Sequence, residues 1–221
     1  EILALKPKTI VFIDYQEFNL RLARSLSKSG NRSRKVQYIC PSVWAWRSNR
    51  TALMEGHINE ILSILPFEAD YFVDSTIHVS YIGHPLAARI DSYDYKKSVI
   101  KKKGRLLALF PGSRTKEIGR NLPIQLLVAR QVAEAEGGLT IAVSCAHEKY
   151  LKLLRKLAPD VPIVPPSRSY ELMRDADYAV ATSGTVTLEL AMHAVPTVVT
   201  FAITPLDLFI AQNVCKINLP Y

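Results

Sequence analysis

The sequence predicts an α/β protein built from parallel, doubly wound sheets, and three observations lead to this fold class. Short apolar runs alternate with longer amphipathic runs, which is typical of strands and helices in a parallel sheet. A lysine-rich stretch over residues 91–104 interrupts the alternation. Beyond it, two apolar runs lead directly into a small-residue turn and then a helix, the arrangement found in nucleotide-binding folds.

Residues 1–90 form the first predicted region, which opens on what we interpret as the tail of a helix at Ile2–Leu5. Residues 17–29 carry apolar side chains at helical spacing, and Gly30 ends this predicted helix. The predicted strands cover residues 9–13, 36–40, 61–65 and 79–82.

Residues 91–104 contain five lysines and no convincing strand, so we predict a basic linker there. The lysines are interpreted either as a solvated tether or as contacts for an anionic surface. Residues 105–221 then resume the alternation, with enough strands for a doubly wound half of their own. The predicted strands are 106–110, 140–143, 161–164, 178–181 and 197–201, and the predicted helices are 122–135, 148–157, 170–175, 186–193 and one beginning at residue 205.

Composition limits the cellular context of the chain. A hydrophobic fraction of 48% is enough for a substantial core, and no apolar run reaches the roughly 18 residues of a membrane-spanning helix. Cys40, Cys145 and Cys215 are far apart and odd in number, which favours reduced thiols and a cytosolic location. The net charge of +8 indicates an anionic partner: nucleic acid, phospholipid headgroups or a phosphorylated substrate.

The first strand–turn–helix motif follows the predicted strand 106–110. Gly112 and Ser113 form its small-residue turn, and Arg114 and Glu117 come next. Glycine lets backbone N–H groups approach an oxyanion, the helix N-terminus carries partial positive charge, and an arginine can pair with phosphate. The motif therefore predicts an anion site, although on spacing alone it is equally consistent with a simple turn.

The second motif contains Ser183, Gly184 and Thr185, with Glu189 one helical turn further on. The hydroxyls could bind phosphate oxygens, and Glu189 could accept hydrogen bonds from ribose hydroxyls. The alternative is an N-capped helix with a solvated glutamate. Neither motif matches the glycine patterns of kinases or dehydrogenases, but both follow strands, and ligands bind at the carboxyl ends of strands in doubly wound sheets.

Five motifs together resemble the lipid-A-disaccharide synthase family in order and spacing, over essentially the whole chain. The tryptophan-containing string is the most specific of them. The motifs are Pro41-Ser42-Val43-Trp44-Ala45-Trp46-Arg47, Leu65-Pro66-Phe67-Glu68, Ile82-Gly83-His84-Pro85-Leu86, Pro111-Gly112-Ser113-Arg114 with Glu117, and Ser183-Gly184-Thr185 with Glu189.

The resemblance implies a GT-B glycosyltransferase with two Rossmann-like doubly wound sheets, both incomplete in this chain. Residues 1–90 would be part of the acceptor-side domain, and residues 105–221 the UDP-sugar domain without its C-terminal end. The implied reaction is an inverting transfer from UDP-2,3-diacylglucosamine to 2,3-diacylglucosamine 1-phosphate, giving the β-1,6 lipid A disaccharide and UDP. No metal or cofactor is implied, and the enzyme would act at the inner face of the bacterial cytoplasmic membrane, in contact with its anionic surface.

The resemblance also assigns roles to residues. Asp14 matches the candidate general base for the acceptor hydroxyl, with Asn19 nearby; the alternative is that Asp14 only caps a helix. Trp44 and Trp46 are candidates for core packing or for the acyl-sugar site, and His84 for ordering a turn or touching substrate. The residues of the two turns would bind UDP: Gly112, Ser113, Arg114, Glu117, Ser183, Gly184, Thr185 and Glu189.

Two other functions share part of this pattern. Another UDP-sugar GT-B enzyme, such as an N-acetylglucosaminyltransferase or a 2-epimerase, would keep the two turns but should lack the tryptophan string. A basic non-enzymatic module binding nucleic acid would explain the charge, but the sequence contains no RNP, helix-turn-helix or zinc pattern, so no nucleic-acid partner is expected.

Overall fold

The computed structural model describes residues 1–43 and 50–202, and these fall into two compact units that divide between Ala88 and Arg89. Each unit contains a parallel sheet, so the predicted α/β class is confirmed. Trp44, Trp46 and the helix predicted from residue 205 lie outside the described residues. Within the described ranges, no helix combines the length and apolar character needed to cross a membrane.

The first unit has a four-stranded parallel sheet in the order β1-β2-β3-β4. One face of helix α2 packs Leu20, Ala23 and Leu26 against Phe12 of the sheet, which is the core that the helical spacing predicted. In chain order the elements are α1 (Ile2–Leu5), β1 (Thr9–Ile13), α2 (Gln16–Lys28), β2 (Arg34–Tyr38), α3 (Arg50–Met54), β3 (Glu60–Ser63), a 3₁₀ helix (Pro66–Phe72) and β4 (His78–Tyr81). Helix α4 (Pro85–Asp91) follows.

Three strands of this unit end earlier than the sequence predicted, β4 by a single residue and β2 and β3 by two. Strand β2 ends at Tyr38 because Ile39 has a φ of 69°, which an extended strand does not allow. Strand β3 ends at Ser63 because the buried Glu68 carboxylate accepts hydrogen bonds from the next two backbone N–H groups, at 3.2 and 3.1 Å.

The second unit has a five-stranded parallel sheet in the order β7-β6-β5-β8-β9, and every residue of the central strand β5 is buried. The five predicted strands are all present; β5 has the predicted bounds, and the other four differ at one end. In chain order the elements are β5 (Leu106–Phe110), α5 (Thr115–Glu136), β6 (Thr140–Ser144), a 3₁₀ helix (Glu148–Tyr150), α6 (Leu151–Leu157), β7 (Ile163–Val164), a 3₁₀ helix (Pro166–Arg168), α7 (Ser169–Asp175), β8 (Tyr178–Thr182), α8 (Thr185–Met192) and β9 (Thr197–Thr200).

Helix α5 begins at Thr115, seven residues before the helix predicted at 122–135. Ile118 is the one buried apolar side chain before Leu122, so the first turns of α5 lack the repeated apolar positions from which a helix is predicted. Pro123 lies inside the helix, where sequence reasoning expects a boundary instead.

The segment 91–104, for which we predicted a linker, is packed as part of the second unit. Tyr93, Tyr95 and Val99 are half-buried against its core. The Lys102 ammonium lies 2.9 Å from the Asp177 carboxylate. The idea of a freely solvated tether is therefore corrected: aromatic residues between the lysines hold the segment on the domain.

The order of the second sheet places the two predicted motifs side by side. From β5 the chain moves outward to β6 and β7, and it later returns to the other side of β5 through β8 and β9. Strands β5 and β8 are neighbours, with Phe110 paired to Ala181 at their carboxyl ends. The strand order reverses at this point, which is where doubly wound sheets bind ligands.

Candidate functional site

A cavity of about 380 Å³ opens at the carboxyl ends of β5, β6 and β8. The structure brings together around it all eight residues that the sequence predicted for the nucleotide side: Gly112, Ser113, Arg114, Glu117, Ser183, Gly184, Thr185 and Glu189. Residues that sequence reasoning missed also line it: Ser144, Cys145 and Ala146 after β6, Pro166 and Ser169 near α7, and Val186 in α8. Their positions in the chain could have indicated them, because the loops that follow the parallel strands of such a sheet all lie at the same edge.

Glu117 organises the first turn. Its carboxylate accepts the Ser113 N–H at 3.1 Å and is also hydrogen-bonded and ion-paired to the Arg114 guanidinium. Partial burial raises the pKa of Glu117, but the hydrogen bonds from Arg114 and Ser113 more than offset this and leave its pKa below the usual range. The turn therefore holds a cationic side chain against an ionised carboxylate at the cavity edge.

Gly112 fits this turn because it has no side chain. Its φ is 111°, a conformation that other residues rarely adopt. A Cβ at this position would lie 2.9 Å from both Cβ and Oε2 of Glu117. The close approach of the Glu117 carboxylate to the backbone thus depends on glycine.

The second turn leaves its hydroxyls at the cavity. Gly184 is the N-cap residue of α8, so neither Ser183 nor Thr185 occupies the capping position that we considered as the alternative. Both side chains are exposed, and both line the cavity. The Thr187 hydroxyl instead donates to the Gly184 carbonyl oxygen at 2.7 Å.

Glu189 is not the solvated side chain of the alternative interpretation. It is half-buried, and its carboxylate accepts a hydrogen bond from the Tyr170 hydroxyl at 2.9 Å. Burial together with this carboxylate raises the pKa of Tyr170 to about 12, so the hydroxyl is a donor at neutral pH.

The two helix N-termini place partial positive charge at the rim of the cavity, beside one guanidinium, Arg114, and two carboxylates, Glu117 and Glu189. Two helices, α5 and α8, begin at its rim, and Arg114 adds a full positive charge with its side chain 78% exposed. Helix N-termini carry unsatisfied N–H groups and about half a positive charge each. A diphosphate is a chemical group that such a rim can hold.

The acceptor-side candidates Asp14 and Asn19 lie in the first unit, where β1 leads into α2. Asp14 and Tyr15 have φ values of 52° and 31°, an uncommon left-handed conformation for residues other than glycine. Helix α2 has Tyr15 at its N-cap and no side-chain cap hydrogen bond, which contradicts the alternative that Asp14 is the cap. The exposed Asp14 side chain is presented by a strained turn.

The contacts of His84 fit the first of its two interpretations, that it orders the turn around Pro85. Its Nδ1 accepts the backbone N–H of Leu86 at 3.1 Å, at the start of α4. Within residues 1–43 and 50–202, no three histidine, cysteine or acidic side chains are grouped so as to hold a metal ion.

Comparison with known proteins identifies the family. The family model described as lipid-A-disaccharide synthetase matches residues 1–221. The chain belongs to the lipid-A-disaccharide synthetase family. Among curated members, the lipid-A-disaccharide synthase of Chlamydia caviae is 39% identical over 99% of this chain and 36% of its own length. That of Wigglesworthia glossinidia brevipalpis is 35% identical over 97% of this chain and 58% of its own length.

The chain thus spans about a third of the length of the first relative and about three fifths of the length of the second. Solved structures share its fold at low identity. The UDP-GlcNAc 2-epimerase from Methanocaldococcus jannaschii superposes with a TM-score of 0.56 at 15% identity, over 96% of this chain and 66% of that one. The S. aureus MnaA–UDP co-structure gives 0.57 at 13% identity, over 92% and 59%. These likenesses concern the GT-B fold, whereas the family match distinguishes this chain from the epimerases that we considered as an alternative.

Proposed function

We propose that this chain provides the UDP-binding site and the general base of an inverting glycosyltransferase. The donor is UDP-2,3-diacylglucosamine, the acceptor is 2,3-diacylglucosamine 1-phosphate, and the products are the β-1,6-linked lipid A disaccharide and UDP. Family membership supports the glycosyltransferase class. The finer assignment of substrates rests on the expectation that the chain shares the reaction of its longer relatives.

The observation that carries the proposal is that both predicted turns line the same cavity, at the carboxyl ends of β5 and β8. Two turns separated by about 70 residues of sequence, with the helix starts that follow them, contribute hydroxyls, two glycines, an arginine and two glutamates to it. In the S. aureus protein of similar fold, UDP is the molecule named in the co-structure. A uridine diphosphate uses both kinds of group, since its phosphates suit the rim and its ribose suits a carboxylate.

On the donor side, the chain would stabilise the negative charge that develops on the leaving diphosphate. Arg114 would exchange its bond to Glu117 for a phosphate oxygen, and the helix starts of α5 and α8 would add fixed dipoles. Preorganised charge of this kind lowers the barrier because it requires no rearrangement of solvent during the reaction.

On the acceptor side, Asp14 would take the proton from the 6-hydroxyl as that oxygen bonds to the anomeric carbon of the donor. The bond between this carbon and the diphosphate oxygen breaks on the opposite face, so the configuration inverts and UDP leaves with the electron pair. Asp14 suits the role because its carboxylate is exposed on a turn that is fixed at both ends, by β1 and α2.

We also propose that the protein works at the cytoplasmic face of the membrane, where its acylated substrates reside. The exposed lysines of segment 91–104 other than Lys102 support this proposal, because basic side chains near an anionic bilayer each contribute on the order of 1 kcal/mol. Sedimentation with vesicles containing anionic lipid, but not with zwitterionic vesicles, is the expected result. Equal sedimentation with both would contradict an electrostatic contact.

Calorimetric titration of the chain with UDP, and with ADP as the control nucleotide, tests the donor site. We expect UDP to bind with at least tenfold preference over ADP, followed by disaccharide formation when acylated donor and acceptor are supplied to the intact enzyme. A folded chain that binds neither nucleotide would refute the proposed role of the cavity.

A further inference from the structure

Glu189 is held from two directions by residues that do not line the cavity. On one side, the Tyr170 hydroxyl donates to Oε1 of its carboxylate at 2.9 Å. On the other, Nδ1 of His193 lies 2.7 Å from the Glu189 main-chain carbonyl oxygen. Because a carbonyl can only accept, this contact requires a proton on Nδ1 of His193.

The imidazole of His193 is itself fixed by the segment 91–104. The Tyr95 hydroxyl lies 2.7 Å from Nε2 of the ring, so the two groups are hydrogen-bonded. A continuous chain of hydrogen bonds therefore runs from Tyr95 through His193 to the backbone of Glu189.

Tyr170 is equally restrained. The residue is 6% exposed, and its ring centroid lies 4.9 Å from that of Tyr93 and 5.3 Å from that of His193. The guanidinium of Arg89 lies over the same ring, 5.6 Å from its centroid. A hydroxyl on a ring packed in this way has little freedom, so it fixes the position of its acceptor.

We propose that Tyr170 is a positioning residue that holds the Glu189 carboxylate for the ribose hydroxyls of the nucleotide, and that His193, supported by Tyr95, holds the main chain of the same glutamate. The proposal deepens the proposed function and rests on it. It gives the segment 91–104 a role in nucleotide recognition, because Tyr95 of this segment is hydrogen-bonded to His193. Glu189 itself provides the recognition, and the others act through it.

The test compares UDP with its 2′,3′-dideoxy analogue, which lacks the ribose hydroxyls. Tyr170→Phe keeps the packed ring and removes only the hydroxyl. We expect this variant to bind UDP about tenfold more weakly than the wild type and to bind the dideoxy analogue with unchanged affinity. Tyr95→Phe should produce a smaller change in the same direction, because it loosens His193 and leaves the Tyr170 contact intact.

Tyr93→Phe is the matched control. The Tyr93 hydroxyl bonds to the Glu171 carboxylate at 3.1 Å instead of to Glu189, while its ring packs on Tyr170 in the same way. Its preference for UDP over the analogue should equal that of the wild type. If Tyr170→Phe leaves this preference unchanged, or weakens both nucleotides equally, the positioning role is overturned while the UDP site stands. If the wild type binds no UDP, the proposed function fails and this inference fails with it.

Discussion

The Asn19 side-chain amide nitrogen lies 2.5 Å from the main-chain carbonyl oxygen of Asp14, and the same nitrogen lies 3.1 Å from that of Ile13. Asn19 is buried in the first turns of α2, so it ties the helix back to the turn that precedes it. This turn contains two non-glycine residues with positive φ, Asp14 and Tyr15. Asn19 therefore stabilises the strained backbone that presents the candidate general base.

Asn19→Ala should lower the free energy of unfolding by about 1 to 2 kcal/mol, because the carbonyl oxygens of Ile13 and Asp14 lose the buried amide donor. Urea unfolding measures this change. Arg24→Ala, at an exposed position on the same helix, is the control and should change stability by less than about 0.5 kcal/mol. Equal stability of the two variants would show that the turn does not depend on Asn19.

Asp14→Asn should reduce turnover of the intact enzyme by about 10²- to 10⁴-fold while the dissociation constant for UDP stays nearly unchanged, because the base acts only on the acceptor proton. Steady-state kinetics and UDP titration measure the two quantities. Glu17→Gln removes a neighbouring carboxylate that is ion-paired with Arg21, and it should retain activity. Wild-type turnover in Asp14→Asn would leave Asp14 without a catalytic role.

Gly112→Ala should weaken UDP binding and destabilise the second unit by about 1 to 3 kcal/mol. The added Cβ would meet Glu117 at 2.9 Å, and the φ of 111° is strained for alanine. Gly119→Ala is the matched control, because a Cβ there meets no heavy atom within 4 Å and alanine favours the helix. We expect that control to be neutral or slightly stabilising, as measured by thermal unfolding.

Arg114→Ala should weaken UDP binding by about 1.5 to 3 kcal/mol if the guanidinium makes a charge-assisted bond to phosphate. Calorimetry with UDP and with uridine isolates the contribution of the phosphate contact. Uridine carries no phosphate, so the substitution should leave its dissociation constant unchanged. Arg130→Ala lies on the same helix but pairs with Asp160 away from the cavity, so it serves as the control. An unchanged dissociation constant for UDP would exclude Arg114 from the site.

Glu171→Gln should destabilise the protein by about 2 to 3 kcal/mol at pH 7. Burial raises the pKa of Glu171, but the hydrogen bonds from the Lys96 N–H and the Tyr93 hydroxyl, together with the Arg168 charge, more than offset this and leave the pKa of Glu171 below its usual range. A lowered pKa in the folded state means that the carboxylate stabilises the fold above its unfolded pKa, and that this contribution disappears as the pH falls through the folded value.

The difference in unfolding free energy between wild type and Glu171→Gln should therefore shrink below about pH 4. Urea unfolding at pH 7 and near pH 3.5 measures it. Glu136→Gln is the control, since its exposed carboxylate is 3.7 Å from Arg105 and contributes little. A difference that is constant with pH would mean that the Glu171 charge does not anchor the segment 91–104.

The sequence by itself determined the fold class and the identity of the two turns. The buried run Leu106–Phe110 and the turn residues after it can be recognised locally, because the apolar strand and the glycine of the turn lie within ten residues of each other. The same holds for the second turn. The eight nucleotide-side residues could be named in advance for that reason, and their binding roles remain predictions.

Only the tertiary structure decided what surrounds those turns. The packing of Tyr93 and Tyr95 on the second unit, the hydrogen bond from Tyr170 to Glu189 and the ion pair of Lys102 with Asp177 each join residues far apart in the chain. The local sequence does not indicate such partners. The lysine-rich segment 91–104 is typical of a solvated linker, and only the order of the strands places the Asp177 carboxylate next to Lys102. The left-handed conformation at Asp14 could not be predicted from the sequence either. Residues other than glycine adopt this conformation rarely, and here the hydrogen bond from Asn19 stabilises it.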